Sequence, residues 1–99
     1  MEENKVTLFT NEELGSVRAL EIDGEPYFVG KDVAVALGYK EPQKAVRERV
    51  APEDRGVSKM DTPGGKQETA IINESGLYSL ILSSKLPKAK EFKHWMISG

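Results

Sequence analysis

The stretch Lys31 to Val50, KDVAVALGYKEPQKAVRERV, constrains this chain most, because Gly38 and Pro42 interrupt an otherwise helix-forming run. Val33, Ala34 and Leu37 share one face of a two-turn helix, with Asp32 as its expected N-cap and Gly38 as its left-handed stop. Pro42 suits the first position of a second helix. There Ala45, Val46 and Val50 face inward, while Gln43, Lys44, Arg47 and Glu48 face water. Pro52 ends it. Two short helices around a glycine corner outline a helix-turn-helix, although such pairs also occur in domains that never touch DNA.

The flanking segments predict an α+β chain. KVTLF alternates like a strand, and NEELGS is turn-like. Asp23-Gly24 between SVRALEI and the aromatic YFV predicts a β-hairpin over about residues 16 to 29. Gly56 to Asp61 and Gln67 to Ile72 form a second hairpin, a wing, across TPGGK. Asn73 caps the next helix, whose Leu77, Tyr78, Leu80, Ile81 and Leu82 make it the central core helix, buried on most sides. Pro87 opens a last helix with an apolar stripe of Ala89, Phe92, Trp95 and Met96. The fold expected is therefore two β-hairpins, a helix-turn-helix-like pair and two C-terminal helices around a small core. Phe28, Leu37, Val46, Phe92 and Trp95 pack on the Leu77 to Leu82 helix in this reading.

Length and composition narrow the function. A chain of 99 residues with 38% hydrophobic residues is one domain, able to close a modest core without a crosslink. It contains no Cys and one His, His94, so disulfides, thiolate catalysis and Cys-ligated zinc are excluded, and a His-rich metal site or an ordinary triad has too few members. PGGK lacks the rest of a nucleotide-binding loop, and no paired carboxylates or activated nucleophile are evident. The expectation is a non-enzyme without cofactor or small-molecule substrate. No apolar run suggests a membrane span, and MEENK lacks the order of a secretory signal, so a cytoplasmic protein is expected.

The formal net charge of -2 conceals a division: residues 1 to 30 carry 2 basic and 7 acidic residues, and residues 31 to 99 carry 12 basic and 9 acidic. What matters for phosphate binding is whether cations gather on one face. Lys31, Lys40, Lys44, Arg47 and Arg49 surround the helix pair; Lys44 and Arg47, three apart, share a face that would lie outward, partly cancelled by Glu41 and Glu48. Lys85, Lys88, Lys90 and Lys93 cluster on the last helix as candidate phosphate contacts, whereas Phe92 and Trp95 fit core packing better than base stacking. Arg55, Lys59 and Lys66 lie on or beside the wing, which in winged helix-turn-helix modules can reach the DNA backbone or the minor groove, although a solvent-facing hairpin is the plainer reading.

YFVGKDVAVALGYKEPQKAVRERV, followed by TAIINESGLYSLILSSKLPKAKEFKHWM, resembles the Bro-N domain of prophage antirepressors and baculovirus Bro proteins, from about Val17 to Met96. The resemblance implies a DNA-binding domain, over residues 1-99, that in antirepressors accompanies a separate C-terminal domain and takes part in the switch from lysogenic to lytic growth. DNA is then the expected partner, through Lys31, Lys40, Lys44, Arg47, Arg49, Lys85, Lys88, Lys90 and Lys93. The alternative is a protein-interaction domain that binds a phage repressor or forms a homo-oligomer without touching DNA, which the acidic first 30 residues suit.

Overall fold

The computed structural model describes residues 6–11, 15–84 and 94. Strand β1 (Val6–Asn11) pairs antiparallel with β2 (Gly15–Ile22), and β2 pairs with β3 (Glu25–Val29). Asp23 and Gly24, at φ 52° and 81°, both take the left-handed conformation that a two-residue type I′ hairpin requires. The chain passes directly from β3 into α1 (Gly30–Ala36), turns at Gly38 (φ 88°) and re-enters helix at α2 (Pro42–Arg49). A single 3-10 turn, Pro52–Asp54, leads into β4 (Arg55–Thr62), β5 (Gly65–Asn73) and α3 (Glu74–Ser83). The mixed α+β class expected from the sequence is what forms.

The two hairpins do not stand apart. β3 pairs with β5, joining the described strands into one five-stranded antiparallel sheet of order β1-β2-β3-β5-β4. Residues opposed across antiparallel strands point to the same face. The register row Thr7, Ala19, Phe28, Ile72 and Arg55 therefore lies on one face. Ala19, Phe28 and Ile72 belong to the core on this side, together with Val33, Ala34 and Leu37 of the first helix and its stop and Ala45 and Val46 of α2. Val50, Leu77, Leu80 and Ile81 complete it. Burial of each large aliphatic contributes roughly 1.5 to 3 kcal/mol. Tyr39, just past the corner, packs against this cluster and donates its hydroxyl to the Leu80 carbonyl at 2.8 Å, tying the helix pair to α3.

Local signals explain most boundaries. Pro42 occupies the first turn of α2, and the Asn73 side chain accepts from Gly76 N at 2.9 Å, capping α3 as expected. Gly76 also answers a packing demand: a Cβ there would stand 2.9 Å from Val50 Cγ1 and 3.0 Å from Ile72 Cβ, so only glycine lets α3 approach.

Two expectations are corrected. Asp32 does not cap α1, which begins at Gly30 with Val29 in the N-cap position and no side-chain cap. Its carboxylate instead receives Arg18 from β2. In α3, Leu77, Leu80 and Ile81 are buried but Leu82 is 79% exposed. At about 100° per residue Leu82 falls roughly 140° around the helix from Leu77, off the buried stripe. Of the expected last helix, including Phe92 and Trp95, only His94 lies within the described residues; it is helical and exposed.

Candidate nucleic-acid interface

A groove of about 630 Å³ runs between the outer side of the helix pair and the β4–β5 hairpin. Lys31 of α1 and Gln43 and Arg47 of α2 line one wall; Gln67 and Thr69 of β5 line the other, and Arg18 and Arg55 border it from β2 and β4. A shallower recess of about 350 Å³ at the start of α2 shares Lys31, Gln43 and Arg47 with the groove and adds Glu41 and Lys44. Helical periodicity produces this arrangement. With Ala45 and Val46 buried in the core, Gln43, Lys44 and Arg47 are turned outward.

The electrostatics favour an anion. The first turn of α2 holds no acidic residue and has no side-chain cap, leaving the partial positive charge of the helix N-terminus beside Lys31 and Lys44. Glu41 opposes it, standing 3.8 Å from Lys44 Nζ, but both side chains are exposed and such a pair is weak. Among the described residues Lys31, Arg47 and Arg55 form no ion pair. Among the described residues Glu68 is the one carboxylate lining the larger groove.

The two arginines at the groove differ in their partners. Arg18 gives its backbone N–H to Asp32 Oδ2 at 3.0 Å, its Nε to the same oxygen at 2.8 Å and its Nη2 to Oδ1 at 3.1 Å. This hydrogen-bonded fork raises the Arg18 pKa further above the ordinary arginine value. Arg55 is half-buried, and its Nε is buried without a hydrogen-bond acceptor among the described residues. The neighbouring carboxylate, Asp54, accepts from Asn73 Nδ2 at 3.2 Å.

The structure thus divides the cations expected from the sequence. Lys31, Lys44 and Arg47 converge on the groove and its recess. Lys40 and Arg49 are exposed but line neither. Arg49 stands about 200° around α2 from Arg47, and its charge acts on Tyr39: burial pushes the Tyr39 hydroxyl above the usual tyrosine value, and Arg49 pulls it partly back. Lys85, Lys88, Lys90 and Lys93 lie outside the described residues. Arg18 and Gln43 are not among the contacts expected from the sequence; Arg55, on the wing whose plainer reading is a solvent-facing hairpin and whose alternative is a backbone contact, borders the groove. Nothing local in the sequence signals that β3–β5 pairing brings β4 beside the helix pair. Among the described residues no group of His, Asp or Glu is placed to hold a metal ion, and no helix is long and apolar enough to cross a membrane.

Comparison with known proteins follows the same outline. The profile of the BRO family, N-terminal domain, matches residues 16–99. An uncharacterized protein of Haemophilus influenzae is 39% identical over 79 residues, covering 78% of this chain and 38% of the relative. The Bro-N domain-containing protein 289L of invertebrate iridescent virus 6 is 37% identical, covering 69% of this chain and 21% of its own. An uncharacterized Bro-N domain-containing protein, ORF2, of Autographa californica nuclear polyhedrosis virus is 35% identical, covering 79% and 29%. The chain thus spans less than two-fifths of the length of these relatives. No solved structure matches.

Proposed function

The chain belongs to the BRO family through its N-terminal domain, and from that premise we propose that it is a DNA-binding module that seats the phosphate backbone in the groove between its helix pair and its β4–β5 hairpin. The observation that carries this reading is the convergence of Lys31, Arg47 and Arg55, none of them in an ion pair among the described residues, on one groove. Each phosphate such cations neutralise releases counterions, so affinity falls with salt. Lys44 extends the track at the start of α2, and the lysines Lys85 to Lys93 are further candidate contacts. The biological role we propose is that of the N-terminal part of a longer, cytoplasmic prophage antirepressor acting in the lysogenic to lytic switch. The resemblance and the greater length of the relatives support it.

Fluorescence anisotropy with a labelled random duplex at low and physiological salt tests the binding. Affinity that drops steeply with salt, and drops further in the double variant Lys31→Ala/Arg47→Ala, is the expected result. No binding at low salt sinks the proposal. A second reading, a protein-interaction domain for a repressor or a second copy, is favoured by one observation. Strand β1, at the edge of the sheet among the described residues, leaves Val6, Leu8 and Phe9 exposed at 51%, 58% and 38%. A light-scattering mass above monomer, or capture of the repressor without DNA affinity, would favour that reading instead.

A further inference from the structure

We propose that Arg55 is an anion-capturing residue: it forms a seat for a single phosphate at the β4 side of the groove, with the phosphate oxygens supplying the acceptor that its Nε lacks. This rests on the reading of the groove as the nucleic-acid interface and deepens it by naming the group bound and the residue that holds it.

Arg18 shows what a structural arginine looks like in this protein. Its Nε and Nη2 meet the two Asp32 oxygens at 2.8 and 3.1 Å, and its backbone joins them. Arg55 has no such tie among the described residues. Its neighbour Asp54 is engaged with Asn73, which in turn caps α3, so that carboxylate is already committed to the scaffold. Glu68, on the groove wall, forms no ion pair or hydrogen bond with Arg55 among the described residues. A buried donor without an acceptor destabilises the state that contains it. The free protein is therefore under a penalty at Arg55 that an incoming acceptor relieves.

The chemistry of that acceptor follows from the guanidinium and from the groove. A turn of the guanidinium presents Nε–H and one Nη–H along a single edge, which matches two oxygens of a phosphate in a bidentate fork. Lys31 and Arg47 border the same groove and add positive potential. Among the described residues no aromatic lines it, so an unpaired base would find nothing there to stack on, and the backbone rather than the base is what the groove suits. Its volume of about 630 Å³ exceeds what one phosphate fills and leaves room for the attached sugars.

Arg55→Met separates capture from support, because it keeps most of the aliphatic stem while removing the unpaired donor. The melting temperature is expected to stay level or rise by up to about 4 °C, while duplex affinity falls roughly tenfold and the salt slope drops by about 1. The wild-type Arg55 Nε–H resonance should shift on titration with a deoxythymidine dinucleotide, which carries one phosphodiester. A weaker shift with inorganic phosphate identifies a nucleic-acid backbone as the source; a stronger one identifies a free-phosphate seat. A melting temperature lowered by several degrees would make Arg55 a structural residue and overturn the proposal. So would duplex binding unchanged in Arg55→Met but weakened in Lys31→Ala/Arg47→Ala, an outcome that leaves the groove as the interface. Wild-type protein that ignores duplex yet still shows the Nε–H shift would refute the nucleic-acid reading and uphold the seat.

Discussion

Arg18 and Arg55 border the same groove from strands three positions apart in the sheet, and they have opposite relations to the fold. Arg18 has two guanidinium nitrogens and its backbone N–H bound to Asp32, whereas Arg55 keeps a buried Nε with no acceptor among the described residues. A polar group whose bonds are closed inside the protein stabilises the protein; one left open is stabilised by what binds. The groove is thus a rigid corner, Arg18–Asp32, facing an unsatisfied one, Arg55, with the exposed cations of the helix pair between them.

Variants at the two corners test the difference between them. The largest effect belongs to the scaffold beneath them: Leu80→Ala, at a fully buried core position, should cost about 2 to 5 kcal/mol in urea unfolding. A loss no larger than that of Lys44→Ala would mean the faces are misassigned. Next, Asp32→Ala opens the closed corner. Since Arg18 is 34% exposed and water replaces part of what is lost, a cost of about 1 to 2 kcal/mol is expected. The freed Arg18 charge should tighten duplex binding about threefold; weaker binding by a folded Asp32→Ala protein would show that the corner itself shapes the interface.

The open side should respond in affinity and not in stability. Lys31→Ala/Arg47→Ala is expected to weaken duplex binding at least tenfold, flatten its salt dependence and move unfolding by roughly 0.5 kcal/mol or less. A smaller effect comes from Tyr39. Its folded-state pKa lies above the ordinary value because of burial, so this contribution is intact below about pH 10 and is lost as pH rises through the folded value. Stability measured from pH 9 to 11 should fall in the wild type and fall less in Tyr39→Phe, which itself costs about 1 kcal/mol through the bond to Leu80. Smallest of all, Arg49→Ala should change duplex affinity by less than about twofold, because Arg49 lines neither groove nor recess.

How much of this the sequence disclosed depended on range. Asp23-Gly24, Gly38, Pro42 and Asn73 each state a local conformational demand, and each element they punctuate is present. The α2 periodicity that turns Lys44 and Arg47 outward was legible for the same reason. Longer-range features were not. The β3–β5 pairing, which joins Phe28 to Ile72 and carries Arg55 to the groove, leaves no mark on either segment alone. Asp32 looked like a cap because a carboxylate before an apolar run is usually one; a strand arginine 14 residues earlier claims it. Leu82 looked buried because its helix is rich in aliphatics, but α3 turns only the stripe of Leu77, Leu80 and Ile81 toward the core it shares with the sheet and the helix pair.

The most direct test of the groove as a phosphate-binding surface is the salt slope of duplex affinity, measured side by side for wild type and Lys31→Ala/Arg47→Ala. Strong salt dependence is expected in the wild type and a slope shallower by about 2 in the double variant, one for each lost phosphate contact. Equal slopes and equal affinities for the two proteins would contradict that role for the groove.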